Sequence, residues 1–491
     1  MSIKIRLLSS FAAMLLLVSA AAACGESSEA PSQTPSAAGT DAGGNEAAET
    51  EPAETSLADT LPTDLDYGGY EFHILAPASM DETYECYMLP TEENGDLLND
   101  TAYKRNREVE ERYNVKLVNS FIESGTLSAD ISKTVAAGSD DYQYCQFMSS
   151  WESPIGLIKD GALMNLLDIP EFNIDSPGFY SQFNHELTIN DRLYFAFSQF
   201  ANAGALPLYM VFNKNMLEDY GLDMPYDVIF SGGWTWDVFQ GYIKNVYSDL
   251  NGNSKMDKED RFGYANNVGL CNYLVWGFDI SVISRTEDGG YTSDILNNKF
   301  VSAAQRIIEF KAQDGIYAPS DINISDRHIF LNGNVMFTNS GTYSLDPNLR
   351  FIENFDFGIA PYAKFDESQQ SYFNYLCPHQ FAVPVSVQNP DIVINVAEGL
   401  AVLSKQDMTP AFRDVYVQQK LLRDEGSQEI ALLLMDQCAI DPTRYYDFAA
   451  GAITPVTLLS KVKNSNEVVS KFTSIEEKAQ AKAADFFSVF F

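Results

Sequence analysis

The sequence predicts a mixed α/β protein large enough for about two or three packed domains. Three observations predict it. Tyr70-Glu-Phe-His-Ile-Leu75 alternates apolar and polar residues as a strand does. Ala102, Asn106, Val109 and Tyr113 then recur at helical spacing within Thr101–Tyr113, behind a capping Asn99 or Asp100, and Val115–Val118 reads as a second strand. Strand, helix, strand in that order opens a domain with a parallel sheet, and roughly 425 residues of globular composition follow Tyr67.

The chain begins with Lys4 and Arg6, an apolar run from Leu7 to Val18, the small residues Ala21-Ala22-Ala23, and then Cys24. That order is a secretory signal, too short and wrongly flanked for a membrane span. A cysteine directly after the small residues resembles a bacterial lipobox, which implies acylation of Cys24 and removal of residues 1–23. From Gly25 to Asp66 the chain is mostly Ala, Ser, Thr, Gly, Pro and acid, with no Lys, Arg or aromatic residue. Such a stretch buries almost nothing, so residues 24–67 are expected to be a disordered, lipid-anchored tether.

Later elements repeat the α/β grammar. Asn213–Tyr220 is a short helix closed by Gly221. Phe300, Ala304, Ile307, Ile308 and Lys311 mark another that ends before Gly315. Asn389 caps a helix with Pro390 at its first position and buried Ile392, Val396, Leu400 and Leu403, and Ser474-Ile-Glu-Glu477 reads as a capping box for the last helix, which ends in Phe486, Phe487, Phe490 and Phe491.

The net charge of −36, from 68 acidic and 32 basic side chains, excludes nucleic acid as a partner, because a binder must present Lys and Arg to phosphates. It also disfavours wide contact with anionic lipid headgroups, so the membrane is met through the lipid anchor only. Cys86, Cys145, Cys271, Cys377 and Cys438 are scattered, odd in number and lack CxxC spacing, which reads as buried thiols rather than a disulfide framework.

Several segments together resemble the extracellular solute-binding proteins of ABC importers, of the sugar-binding lipoprotein type. They are Leu98–Val115, Leu208–Asp223, the Gly233-Trp-Thr-Trp-Asp-Val-Phe239 run, Phe330–Phe337, Phe357-Gly-Ile-Ala-Pro361 and Phe381-Ala-Val-Pro384, in the family's order. The resemblance implies a periplasmic-binding-protein type II fold, two α/β lobes with a ligand cleft between them. It places one lobe at 68–200 and 372–406 and the other at 207–371 and 407–491, with crossovers around Phe200–Pro207, near Tyr372 and near Gln406. It further implies a monomer at the extracellular face of the bacterial cytoplasmic membrane, binding a small solute for ABC permease subunits, with no catalytic role.

Sugars offer flat apolar faces and many hydroxyls, so their sites pair aromatic platforms with a few polar groups. By position in the family, Trp151 with Glu152 falls on a first-lobe cleft loop. Asn272, Tyr273 and Trp276 fall on a second-lobe cleft segment, and Tyr343 where a stacking aromatic is common. Trp234 and Trp236 open a scaffold helix and are expected to pack internally. A secreted carbohydrate-active enzyme is the first rival, although no nucleophile elbow, phosphate loop or zinc signature occurs. The nearest approach, His185-Glu-Leu-Thr-Ile189, lacks the second His of a metalloprotease motif, and His73, His185, His328 and His379 show no ligand spacing.

Asp249–Asp260 places Asp249, Asn251, Asn253, Asp257 and Asp260 at positions 1, 3, 5, 9 and 12 of an EF-hand-type loop, with the Lys255 carbonyl at position 7. This spacing predicts a structural Ca2+ in the second lobe. The loop looks closest to dockerin calcium loops, which raises a second rival, a calcium-dependent surface adhesin or scaffold component. Ser254 stands at position 6, where the turn favours glycine.

Overall fold

A computed structural model describes residues 56–78, 88–123, 125–148, 153–287, 289–319, 328–339, 349, 352–446 and 454–491. The first sheet starts with β1 (Tyr70–Pro77), whose Phe72, Ile74, Leu75 and Ala76 are buried. Helix α1 (Leu97–Tyr113) follows. Its cap is Asp96, which accepts the Leu98 and Asn99 N–H groups at 3.0 and 3.1 Å, so Asn99 and Asp100 lie in the first turn rather than before it. Asp100 instead receives the Asn94 N–H at 2.8 Å, bracing the approach to the helix.

β2 (Val115–Ile122) then pairs in parallel with β1 over its whole length. After α2 (Leu127–Ala137), β3 (Tyr144–Phe147) joins the other side of β1. Helix α3 (Ser181–Leu187) packs beside the short β4 (Ala196–Phe197).

The chain passes to a second sheet between Phe197 and β5 (Met210–Asn213). Asn213 ends the strand and caps α4 (Lys214–Asp219), taking the Met216 N–H at 3.1 Å, and Gly221 closes the turn at φ +64°. Trp234 and Trp236, which lead into α5 (Trp236–Ile243), are fully enclosed, as their packing role requires. β6 (Phe262–Ala265), the hairpin β7 (Ile283–Arg285) and β8 (Tyr291–Ser293), α6 (Asn298–Lys311), β9 (Ile316–Tyr317), β10 (Val335–Asn339) and β11 (Phe357–Ala360) follow. The sheet order is β11-β5-β10-β6-β9, antiparallel only where β5 is involved.

β12 (Asn374–Tyr375) leads back, and β13 (Gln380–Ala382) enters the first sheet between β3 and β4 to give the order β2-β1-β3-β13-β4. Helix α7 (Pro390–Leu403) buries Val396, Leu400 and Leu403, while Ile392 is only partly covered and the Asn389 side chain makes no cap. The chain then crosses through π-helical turns (Ser404–Met408, Ala411–Leu421) to α8 (Glu425–Asp436), which packs on β11. β14 (Cys438–Ala439) pairs with β12, and α9 (Pro442–Tyr445) and α10 (Val468–Phe487) complete the chain.

Two further sequence expectations are corrected. The last helix begins at Val468, so Ser474 lies inside it and bonds back to the Lys471 carbonyl at 2.6 Å. Val468 and Phe472 extend the helix because both are buried, Phe472 stacking on Phe300 with centroids 5.0 Å apart. The tether expected to run to Tyr67 is already packed from Ser56. Leu57–Thr60 forms a 3-10 turn with a Ser56–Asp59 capping box, Ala58 and Leu61 are buried, and the Ala58 N–H donates to Gln406 Oε1 at 3.0 Å.

Arg105 of α1 ties the crossovers to the first sheet. Its guanidinium donates to Ser404 Oγ at 2.9 Å and to the Met88 carbonyl, and it lies 4.7 Å over the Phe200 ring. Cys145, Cys271, Cys377 and Cys438 are free thiols, and Cys86 lies outside the described residues. Among the described residues no helix is long and apolar enough to cross a membrane.

Candidate functional site

The strand directions decide where the two sheets face each other. In the first sheet β1, β2 and β3 run in parallel, and antiparallel β13 begins at Gln380, opposite both Phe147 and Phe197. In the second, Met210 at the start of β5 lies opposite Asn339 and Ala360, the last residues of β10 and β11. The first crossover therefore joins Phe197 to Met210, and the second joins Ala360 to Gln380. Both link the carboxyl-terminal edge of one sheet to that of the other. In open α/β sheets that edge is where ligands bind.

The crossovers are laced into a common floor. The Leu208 N–H donates to the Tyr375 carbonyl at 2.8 Å, and the Leu376 N–H to the Ala439 carbonyl at 2.7 Å. Asn202 clamps the backbone of His379 from both sides: its Oδ1 accepts the His379 N–H at 2.7 Å and its Nδ2 donates to the His379 carbonyl at 2.9 Å. Burial pulls the His379 imidazole down to about 4, so it is neutral at neutral pH, and its Nδ1 is buried without a partner. Gln380 Oε1 beside it is likewise buried and unpaired.

At the end of β10, on the other side of the crossovers, lies a buried polar cluster around Asn339. Its Oδ1 accepts from Tyr264 Oη and from Asn266 Nδ2 at 3.1 Å, while its Nδ2 donates to Tyr362 Oη at 3.0 Å and to the Leu270 carbonyl at 3.2 Å. Burial, reinforced by the nearby Tyr273 and Tyr209 phenols, holds the Tyr362 hydroxyl protonated. Such a saturated network holds the ends of β6 and β10 rigidly together.

Of the residues singled out in the sequence, Asn272, Tyr273 and Trp276 share the 3-10 segment Asn272–Phe278. Trp276 is enclosed, 3% exposed. It stacks on Tyr375 with centroids 4.0 Å apart and planes 11° from parallel, meets the edge of Tyr273 at 4.8 Å, and donates Nε1–H to Asp441 Oδ2 at 3.0 Å. Asp441 caps α9 through Thr443, and burial raises its pKa against those bonds. Asn272 is also buried: its Oδ1 accepts from Lys311 Nζ at 2.6 Å and its Nδ2 donates to Ser460 Oγ at 3.1 Å. Tyr273 is half-buried. Trp151, Glu152, Tyr343 and Cys24 lie outside the described residues. Asp441, Tyr375 and Asn339 were not singled out. The helix-start pattern Asp441-Pro-Thr443 was a signal that Asp441 is a cap, but nothing local announces its bond to Trp276.

In the 249–260 loop, Asp249 Oδ2 accepts the Ser254 N–H at 2.7 Å, and Ser254 takes a left-handed φ of 57° where glycine was favoured. Asn251 and Asn253 Oδ1 accept from Asn253 and Lys255 N–H at 3.0 and 2.7 Å. Their Nδ2 groups donate to Asp257, and Asp260 is buried beside Tyr247 Oη at 3.3 Å. The donors are all hard oxygens, as calcium requires. Among the described residues, however, no group of three or more His, Cys, Asp or Glu side chains is gathered to hold a metal ion. The amide bonds to Asp257 would have to be given up first.

A pocket of about 710 Å³ is lined by Asp168, Glu171, Arg192, Tyr194 and Asp391 among others. It contains none of the aromatic residues singled out above, and Arg192 is already bonded to the Val489 carbonyl at 2.8 Å. The crossover region, where the carboxyl-terminal edges of both sheets meet, is the better candidate.

No protein-family model and no curated protein matches the chain. Its structural neighbours are sugar-binding proteins of ABC transporters. The maltose-binding protein of Listeria monocytogenes in complex with maltose is 14% identical, with 86% of this chain and 97% of that one covered at a TM-score of 0.53. A Listeria monocytogenes ABC substrate-binding protein in complex with cycloalternan is 12% identical, covering 86% and 98% at 0.52. UgpB of Mycobacterium tuberculosis, in complex with glycerophosphocholine, is 14% identical, covering 85% and 99% at 0.51. At this identity the likeness is one of fold, and the fold is the type II periplasmic-binding-protein architecture.

Proposed function

We propose that the protein captures a small solute, an oligosaccharide, outside the cell and delivers it to an ABC importer. The observation that carries this reading is the meeting of two sheet edges across crossovers, the arrangement in which two lobes shut on a guest and exclude water. The solved neighbours that hold maltose and cycloalternan support a sugar. On this reading 68–200 with 372–406 and 207–371 with 407–491 are the lobes. Trp151, Glu152, Tyr273 and Tyr343 touch the solute, and Trp276 and Asn272 frame the wall behind. The protein is exported, acylated at Cys24, monomeric, and a binder rather than an enzyme. The 249–260 loop takes one structural Ca2+ through Asp249, Asn251, Asn253, Lys255, Asp257 and Asp260.

A thermal-shift screen over di- and oligosaccharides tests the reading, with product analysis on every hit. A raised melting temperature with unchanged sugar supports it. No shift with any sugar, or release of product, overturns the oligosaccharide binder.

A further inference from the structure

Buried polar atoms in folded proteins almost always have a hydrogen-bond partner, so each exception calls for a cause. The second crossover, between Ala360 and Gln380, carries Asn374 Oδ1, His379 Nδ1 and Gln380 Oε1 buried and unpaired. All three are acceptors, His379 when its imidazole proton sits on Nε2. Asn374 and Gln380 are each 1% exposed. Neighbouring amides, by contrast, are paired. Gln146 accepts from Tyr144 Oη at 3.1 Å and donates to the Gln380 carbonyl at 3.0 Å, and Asn202 holds the backbone of His379 from both sides. The main chain at 379–380 is thus fixed, while the acceptors on its side chains are left over.

Their place in the fold says what they are left over for. Gln380 opens β13 opposite Phe147 and Phe197, the last residues of β3 and β4, on the carboxyl-terminal edge of the first sheet. Four residues past Phe147 the sequence reaches Trp151, the aromatic platform expected for a sugar. We propose that Gln380 and His379 are the hydrogen-bond acceptors that the first sheet offers the solute, and that the group they receive is an uncharged hydroxyl. These contacts rest on the solute-binding reading above and supply its polar partners.

Lone pairs on two acceptors repel a carboxylate or phosphate. Arg105, the cation over Phe200 on the first crossover, is committed to Ser404 Oγ and the Met88 carbonyl and does not answer an anion. An ammonium would lose its hydration for neutral partners alone, which do not offset that cost. A sugar hydroxyl donates to such an oxygen or nitrogen and keeps its own lone pairs for other groups. Consecutive side chains of an extended chain point to opposite faces, so one guest meets both acceptors by lying across the end of β13. Neither atom is open to water, so the guest reaches them when the sheets part and is enclosed when they close.

The test is isothermal titration of maltose, maltotriose, cellobiose and raffinose into the wild type, Gln380→Met, His379→Leu and His379→Gln, with melting temperatures taken without sugar. A sugar that binds the wild type binds Gln380→Met and His379→Leu about tenfold to a hundredfold more weakly, the range for a buried bond that loses one partner. His379→Gln, which restores an acceptor, binds more tightly than His379→Leu. Without sugar, Gln380→Met melts no lower than the wild type, because the oxygen removed has no bond to lose. A lower melting temperature, the mark of an oxygen bonded to a buried water, overturns the proposal. So does a sugar that Gln380→Met binds as tightly as the wild type, and solute binding itself then stands. A wild type that binds none of these sugars overturns the two acceptors and the oligosaccharide reading together.

Discussion

The indole of Trp276 lies flat on the phenol ring of Tyr375, 4.0 Å between centroids, so the Asn272–Phe278 segment is braced against a strand on the crossover between the sheets. Its Nε1–H also neutralises a demand at Asp441, a buried carboxyl. Trp276→Phe keeps the stack and loses the bond. It should lower stability by about 1–3 kcal/mol, the range for a buried polar group left unpaired. Trp276→Ala should cost about 3–5 kcal/mol through the cavity. Chemical denaturation measures both, and a Trp276→Phe protein as stable as the wild type would mean the hydrogen bond contributes nothing.

Gly277, next in sequence, lets the same segment lie against the chain at Tyr362. A Cβ there would stand 2.6 Å from Tyr362 Cβ and 2.7 Å from the Ala363 carbonyl oxygen. Gly277→Ala should therefore destabilise by about 1–3 kcal/mol, as overpacked cores do. A variant as stable as the wild type in a urea titration would show that this contact has slack.

The imidazole of His379 gives a pH dependence with a definite sign. Its folded pKa is pulled down to about 4 from 6.5, so the unfolded chain takes a proton first as pH falls. The contribution is complete above about pH 6.5, is lost progressively on acidification, and is gone below about pH 4. Glu186, raised to about 7, acts in the opposite sense, favouring the folded state as pH falls from 7 toward 4.5. His379→Gln should thus lose less stability than the wild type between pH 7 and pH 5 in denaturant midpoints. Parallel curves would remove His379 from the account.

For the 249–260 loop, Tyr247 sits 3.3 Å from Asp260 and can sensitise a bound lanthanide. Terbium added to the protein should luminesce on tyrosine excitation, calcium should quench it by displacement, and Asp257→Ala should abolish it. Calcium at about 100 times its dissociation constant should raise stability by about 2.7 kcal/mol. Ser254→Gly, which relieves a left-handed φ of 57°, should add about 1 kcal/mol without calcium. A silent terbium titration would leave the loop as a hydrogen-bonded surface turn.

Local grammar was legible in the sequence. Asn213 capping α4 and Gly221 closing it are written in neighbouring residues, as is the burial of Trp234 and Trp236. Cap choice was less so, because Asp96, Asn99 and Asp100 are equivalent as residue types and only the fold decides which faces the open N–H groups. Ser474 misled for a related reason: a capping box in sequence remains one only if the chain before it is not helical, and Phe472 makes it helical by stacking on Phe300. The site was the least legible part. Trp276 and Asp441 are 165 residues apart, and no periodicity links them.

The docked turn before β1 carries a mechanical consequence. Ser56 and Ala58 are moored at Gln406, beside the Arg105 clamp on the first sheet, so a pull on the chain at residue 56 is felt there first. It reaches Trp276 and the 249–260 loop, on the far sheet, only after passing through the elements that join the two.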